Sequence, residues 1–231
     1  MEKRRIRVWD IPTILFHWLL VLLTIAAFIT GFLGASLIDA HYQIGLAIAG
    51  LLAFRLVWGV MGSTYARFVQ FVPSPARILA CLRGQWHGLG HNPLGALSVL
   101  GLLALLLFQV VSGLVSDDNI AFTGPLKVLV SQTTADLLTR LHKLNVWLIV
   151  GLVSAHTLAN LFHTVVKKDN LISPMIFGYK TVSDPTLAPA RGGGWLPFVL
   201  AALIAVGAVW IANGGLNPAP PPPPPQTAPA W

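Results

Sequence analysis

Residues 140–163 read Arg140-Leu-His142-Lys-Leu-Asn-Val-Trp-Leu-Ile-Val-Gly-Leu-Val-Ser-Ala-His156-Thr-Leu-Ala-Asn-Leu-Phe-His163. This stretch is apolar enough to cross a bilayer, yet it carries three histidines. Because His142 and His156 are 14 residues apart, about four helical turns separate them, and both imidazoles leave the same face roughly 21 Å apart along the axis. Two imidazoles at two depths of one span indicate ligands for two stacked cofactors. We therefore expect other spans to supply partner histidines at matching depths.

The composition is that of a membrane protein. Of the 231 residues, 55% are hydrophobic and 10% are charged, and the mean hydropathy is +0.72, whereas soluble domains carry about 25% charged residues. The net charge of +7 does not indicate nucleic-acid binding, because the basic residues lie in short segments between apolar runs. The lone Cys81 excludes an internal disulfide and a cysteine-ligated iron–sulfur cluster, and without a Cys-x-x-Cys-His motif any haem is held non-covalently.

Five apolar runs predict five membrane spans, at about 11–33, 41–61, 94–115, 136–168 and 195–212. We interpret the first run as an uncleaved span, since it is longer than a signal-peptide core. The fold class predicted is an all-α membrane protein: a four-helix transmembrane bundle plus a fifth C-terminal transmembrane helix. The fourth run exceeds the roughly 20 residues needed to cross a bilayer, so its helix should project from the membrane.

Two segments outside the spans also have a predicted form. Ser74 followed by Pro75 opens a short amphipathic helix that should lie at the membrane surface. The tail at 217–231 is proline-rich and should form an extended polyproline II arm. The arm could dock to a partner or remain an unstructured tail.

The distribution of basic residues orients the predicted bundle. With five spans and a cytoplasmic N-terminus, most of the lysines and arginines fall on the cytoplasmic side, which is the pattern of inner-membrane proteins. These are Lys3, Arg4, Arg5, Arg7, Arg67, Arg77, Arg83, Lys167, Lys168, Lys180 and Arg191, while Lys127, Arg140 and Lys143 lie outside. The protein is therefore expected in the bacterial inner membrane, with its C-terminal tail in the periplasm.

This topology pairs four histidines by depth. His17 lies near the cytoplasmic end of span one and His156 in the inner half of span four. His41 opens span two on the outer side, where His142 also lies. Interhelical hydrogen bonding, a zinc site or a proton site are the alternatives. Bis-imidazole binding of a flat cofactor suits the two pairs better, because zinc sites usually have three or four protein ligands.

Small and cationic residues share faces with these histidines. Gly31 follows His17 by 14 residues, and Gly45 and Gly59 follow His41 by four and 18, so they could admit a porphyrin or simply promote helix packing. Arg55 lies at the depth of the inner pair and is predicted to bind a haem propionate, with snorkelling of its guanidinium to the membrane interface as the alternative.

The remaining charged and histidine side chains are weaker candidates. Arg140 and Lys143 are candidates for the outer haem, and His163 for the edge of the inner haem or a quinone. His87 and His91 are expected to be solvated in a cytoplasmic loop.

Several motifs resemble those of the prokaryotic cytochrome b561 family, which includes the cytochrome b subunits of nickel–iron hydrogenases. They are Trp9-Asp-Ile-Pro-Thr-Ile-Leu-Phe-His17-Trp18, Phe54-Arg55-Leu-Val-Trp58-Gly59, Gly90-His-Asn-Pro-Leu-Gly95 and the two-histidine fourth span. The resemblance covers roughly residues 6–180. We therefore predict a cytochrome b561-like four-helix di-haem domain over residues 6–180, an additional transmembrane helix at 195–213 and a proline-rich periplasmic tail at 214–231. The sequence departs from the family at Ile14, where arginine is usual, in its short first loop, and in the fifth span.

The resemblance implies two b haems and electron exchange with a quinone. It implies that His17 and His156 bind the iron of the inner haem, and that His41 and His142 bind the iron of the outer haem.

Three hypotheses about function follow. The first is electron transfer between the quinone pool and a periplasmic or membrane redox partner such as a c-type cytochrome. The alternative is a haem-bearing membrane anchor of a larger redox enzyme, and a metal or proton transporter is the least favoured. No catalytic acid–base pair or nucleophile stands out, so the label of a quinone-linked oxidoreductase subunit rests on the resemblance alone.

Overall fold

Five long helices form the protein, as the apolar runs predict. A computed structural model describes residues 3–86, 88–120 and 122–218. The long helices are α1 (Ile11–Leu33), α2 (Ile38–Met61), α5 (Pro93–Leu114), α6 (Gln132–Val165) and α8 (Trp195–Ala212). All five are long and apolar enough to cross a membrane. The predicted class, an all-α membrane protein, is confirmed.

Shorter elements connect the long helices. Three short helices are α3 (Phe68–Phe71), α4 (Pro75–Leu82) and α7 (Ile172–Phe177), and 3₁₀ turns lie at Ala35–Leu37, Thr64–Ala66 and Lys127–Leu129. The helix α4 is the predicted amphipathic segment. The predicted polyproline arm lies almost wholly outside the described residues.

Polar side chains fix where the helices begin. The Oδ1 atom of Asp10 accepts a hydrogen bond from the backbone N–H of Thr13 at 2.7 Å, and Asn92 caps α5 by accepting from Gly95 at 2.6 Å. Each of these helices has proline in its first turn, where a missing N–H costs nothing. Because the Asp10 cap sets the start of α1, it also sets the turn from which His17 projects.

The helix α2 lies at the centre of the bundle. It packs against α1, α5 and α8, and α5 packs against α6. Ile48 and Leu52 of α2 form the main core with Leu106 and Ile149. Gly50 allows α8 to approach closely, since an added Cβ would lie 2.8 Å from Val209. The fifth helix therefore docks on α2.

A two-stranded sheet joins the chain's beginning to the segment after α6. Strand β1 (Arg4–Arg7) pairs antiparallel with β2 (Tyr179–Val182). This sheet is not among the features predicted from the sequence. It places the N-terminus and the end of α6 at one end of the bundle. At 34 residues, α6 is about 51 Å long, so it extends well beyond a hydrocarbon core of about 30 Å, as expected.

Candidate haem-binding site

The structure brings His41 and His142 together. His41 lies in the first turn of α2, His142 lies in the third turn of α6, and their ring centroids are 6.3 Å apart with planes at 85°. With metal–nitrogen bonds of about 2.0 Å, two imidazoles on opposite sides of one metal ion have centroids roughly 6 Å apart. The spacing of this outer pair therefore suits axial binding to one iron.

Carbonyl oxygens orient both rings of the outer pair. The Nδ1 atom of His41 lies 3.0 Å from the carbonyl oxygen of Ala27, and the Nδ1 atom of His142 lies 2.9 Å from that of Gln109. Since a carbonyl only accepts, each Nδ1 carries the proton and each Nε2 keeps its lone pair. Haem and metal ligands are usually held in this way by a second hydrogen bond.

Side chains of α5 complete the surroundings of His142. The hydroxyl of Ser112 lies 3.1 Å from Nδ1. The amide nitrogen of Gln109 lies 3.1 Å from Nε2, the atom that would bind iron, so haem binding would displace this amide from the ring. Asn145 donates to the Gln109 side-chain oxygen at 2.8 Å and to the Leu105 carbonyl at 2.9 Å. This network in an apolar helix pair fixes the tautomer of His142 and the register of α5 against α6.

The predicted inner pair also lies in one neighbourhood. His17 of α1 and His156 of α6 are close enough to interact electrostatically. The Nδ1 atom of His156 lies 3.3 Å from the Ser98 hydroxyl. The Nδ1 atom of His17 is buried and has no hydrogen-bond partner among the described residues.

Arg55 occupies an aromatic enclosure beside the inner pair. Its residue exposure is 3%, and its guanidinium lies 4.8 Å from the centroid of the Phe68 ring, 5.8 Å from Phe71 and 6.0 Å from Phe16. The charge of Asp10 is nearby. Within the described part of the chain, Nη1 is buried without a partner. A buried arginine with an unused N–H suits an anionic group such as a haem propionate.

His91 belongs to this inner cluster, contrary to the expectation that it is solvated. Its ring packs between Trp9 and Phe71, with centroid distances of 4.9 and 4.7 Å. Burial first, and then the charge of Arg55, lower the pKa of His91 to about 3, so the ring is neutral at pH 7. Its Nδ1 atom is buried and unpartnered in the part that the structure describes. The expectation was wrong because loop position alone does not reveal tertiary packing.

The predicted glycines differ in their surroundings. An added Cβ at Gly31 would lie 3.0 Å from Cε1 of His41, so this glycine makes room for the ring, and Gly113 does the same for His142 at 2.9 Å. Gly45 borders open space. Gly59 packs against the Phe68 ring, which helix packing explains, so its role beside a haem stays a prediction.

Of the weaker sequence candidates, Lys143 lies close enough to His142 for its charge to act on that ring. His163 packs near Phe162, with a centroid distance of 6.1 Å, and His87 lies outside the described residues.

The residues that sequence reasoning missed do carry a signal. Ser98 and Ser112 interrupt the most apolar of the first four runs, and they are 14 residues apart, as are His142 and His156. Gln109 and Asn145 are likewise polar within spans. Polar residues inside spans are rare and usually have a structural or functional role.

A haem fits these residues. The outer pair has the spacing of two ligands to one iron. Within the described part of the chain, the inner cluster holds three buried polar atoms without a hydrogen-bond partner: Nδ1 of His17, Nη1 of Arg55 and Nδ1 of His91. Membrane helices that present histidines to each other in this way define a membrane-bound b-type cytochrome.

The chain belongs to the prokaryotic cytochrome b561 family, whose sequence pattern residues 8–178 match. Membership confirms the family inferred from the sequence and identifies a multi-pass membrane protein of electron transport that holds haem b. The helix α8 lies outside the matched residues.

Curated relatives carry a more specific name. The chain is 23% identical over 214 residues to the probable Ni/Fe-hydrogenase 1 B-type cytochrome subunit of Escherichia coli K12, covering 75% of this chain and 90% of that protein. It is 26% identical over 226 residues to the probable Ni/Fe-hydrogenase B-type cytochrome subunit of Azotobacter vinelandii, covering 79% and 91%. No solved structure matches the chain significantly.

Proposed function

We propose that this chain is the membrane subunit of a larger redox enzyme, in which two b haems carry electrons between a catalytic partner and a quinone. The observation that carries the proposal is that α6 carries two histidines, each close to a histidine of another helix. His142 lies near His41, and His156 lies near His17. When bound, haem iron supplies one-electron chemistry. The four histidines would hold the two haems, and iron held by two imidazoles would be suited to electron transfer rather than to oxygen activation.

The relatives favour a haem-bearing membrane anchor of a larger redox enzyme over a carrier of electrons to a c-type cytochrome. The relatives are named as subunits of hydrogenases, so a partner enzyme is better supported than a c-type cytochrome. A transporter is the weakest of the three, because the carbonyl and hydroxyl partners of His142 and His156 hold the rings in place.

The outer pair defines the face on which we place the partner. The helix α6 extends about 15 Å beyond His142 toward its N-terminus, and the loop before it exposes apolar side chains. These are Ile120, which is 93% exposed, Val128 and Leu129, and Leu137 is exposed in the second turn of α6 itself. Under the proposed inner-membrane topology this face is periplasmic, and the inner pair, Arg55 and His91 lie toward the cytoplasm.

Co-purification in mild detergent tests the proposal. We expect a redox enzyme to copurify, and its substrate (hydrogen for a hydrogenase) to reduce the b haems, which a soluble quinone analogue then reoxidises. Ile120→Glu should abolish co-purification while the haem spectrum is retained, whereas Val69→Glu, an exposed residue of α3, should have no effect. Rapid reduction of the isolated chain by a c-type cytochrome, without another subunit, would contradict the proposal.

A further inference from the structure

A cavity of about 300 Å³ lies where the start of α1, the end of α2 and the first turn of α8 meet. Its lining includes Arg7, Trp58, Ser63, Gly193, Trp195 and Phe198. The side formed by α8 and the loop before it lies outside residues 8–178, so the family core alone does not form this cavity.

Ser63 gives the cavity an unused polar group. The residue is 2% exposed and follows Gly62 at the end of α2, and its Oγ atom has no hydrogen-bond partner among the residues described. A buried hydroxyl without a partner costs free energy. A bound group with an acceptor oxygen would satisfy it.

The glycine run before α8 folds closely around Ser63. Gly192 and Gly193 have φ of 82° and 80°, which favours glycine. An added Cβ at Gly193 would lie 2.9 Å from the Trp58 ring and 3.0 Å from the Ser63 backbone nitrogen. The loop thereby brings the N-terminus of α8 to the hydroxyl.

That helix end is suited to an anion. Gly194 caps α8 without a side-chain hydrogen bond, so the first N–H groups of this 18-residue helix lack intrahelical partners and carry the positive end of its dipole. Anions commonly bind at such helix ends.

The charges around the cavity are mainly positive. Arg7 lines it, and the Arg67 guanidinium lies against the loop, 3.2 Å from an added Cβ at Gly192. The ion pairs within the described residues are Lys127–Asp117 and Lys180–Asp169, which involve neither arginine. Asp10 also lines the cavity, but its oxygens already accept from the Thr13 backbone and the Trp58 indole.

We propose that this cavity binds the phosphate of an anionic phospholipid. The helices α1 and α8 both pack on α2 with little direct contact between them, which leaves a groove for acyl chains. Leu15, Leu196 and Val199 are exposed along those helices, and Trp195 is 76% exposed at the first position of α8, the kind of place where tryptophans anchor helices at the head-group level. Basic pockets between membrane helices are known sites for anionic head groups. The inference goes beyond electron transfer and does not depend on it.

Native mass spectrometry of the delipidated protein in dodecyl maltoside tests the proposal. When the two lipids are added back, the amount of dioleoyl phosphatidylglycerol that stays bound should be about tenfold larger than that of dioleoyl phosphatidylcholine. Inorganic phosphate at millimolar concentration should not displace the bound phosphatidylglycerol. Arg7→Gln and Ser63→Ala should each lower retention of phosphatidylglycerol about fivefold. Arg77→Gln, an exposed arginine of α4, should leave it unchanged, and an unaltered haem spectrum shows that each variant folds.

Two results would overturn the proposal. Equal retention of the two lipids would mean that the cavity does not bind the anionic head group selectively. Unchanged retention of phosphatidylglycerol in both Arg7→Gln and Ser63→Ala would mean the same. Displacement of the lipid by inorganic phosphate would identify a site for the free anion instead.

Discussion

The hydroxyl of Ser112 lies 3.1 Å from Nδ1 of His142. Fourteen residues earlier on α5, Ser98 has the same relation to His156, at 3.3 Å. Because α5 and α6 run antiparallel with one constant register, each predicted ligand of α6 is backed by a serine of its neighbour. The two predicted haem sites are therefore built on one repeated contact.

The pairing of ligands can be tested by removing one histidine at a time. We expect His41→Ala and His142→Ala to remove the same haem, because the two rings face each other at 6.3 Å. His17→Ala and His156→Ala should remove the other. Haem content and the reduced-minus-oxidised spectrum of purified variants measure this, with about half of the b-type signal lost in each. Loss of one and the same haem in His17→Ala and His142→Ala would refute the pairing.

The two serines should differ in effect. Among the described residues, Ser98 is the hydrogen-bond partner of Nδ1 in His156. Nδ1 of His142, in contrast, keeps its hydrogen bond to the Gln109 carbonyl when Ser112 is removed. A hydrogen bond from Nδ1–H makes the imidazole a stronger donor and stabilises oxidised iron. Ser98→Ala should therefore raise the reduction potential of the inner haem, by about 40 mV for a bond worth about 1 kcal/mol in a one-electron couple.

Spectroelectrochemical titration of each variant measures these shifts. Ser112→Ala serves as the comparison and should shift the outer haem less than Ser98→Ala shifts the inner one. A larger shift for Ser112→Ala, or a fall in potential for Ser98→Ala, would show that the serines do not act through Nδ1.

The spans and the histidine positions could be predicted from the sequence because they depend on local patterns. Apolar length predicts membrane helices, and α1 and α8 begin and end where the apolar runs do. The 14-residue interval follows from helical geometry alone.

The remaining features depend on contacts between distant segments. His91 looks like a loop residue until Trp9 and Phe71 are seen on either side of it. The pairing of β1 with β2 joins residues about 175 positions apart, and a four-residue basic strand has no periodicity that would indicate a partner. No single stretch of the sequence indicates packing of this kind between distant segments.

Gly113 offers a test of how tightly the outer site is built. Its added Cβ would lie 2.9 Å from Cε1 of His142, so Gly113→Val should displace the ring and lower the content of the outer haem by at least about half. Gly151→Val is the matched control on α6, because an added Cβ there meets nothing within 4 Å and lies about half a turn from the face of His142. Pyridine haemochrome assays quantify the haem, and equal losses in the two variants would contradict a specific effect.

Arg55 should set the potential of the inner haem through its charge. Its guanidinium is buried, and its Nη1 is unpartnered within the described residues. A cation stabilises the reduced state of nearby iron, so Arg55→Gln should lower the inner potential, on the order of 100 mV for a charge–charge interaction worth about 2 kcal/mol. Arg55→Lys keeps the charge and should recover most of this shift, while Arg77→Gln removes an exposed charge of α4 and should change neither potential. Redox titration at fixed pH measures both potentials. Lysine restores the charge but not the planar guanidinium group. If Arg55→Lys does not recover the potential, Arg55 contributes hydrogen bonding rather than charge.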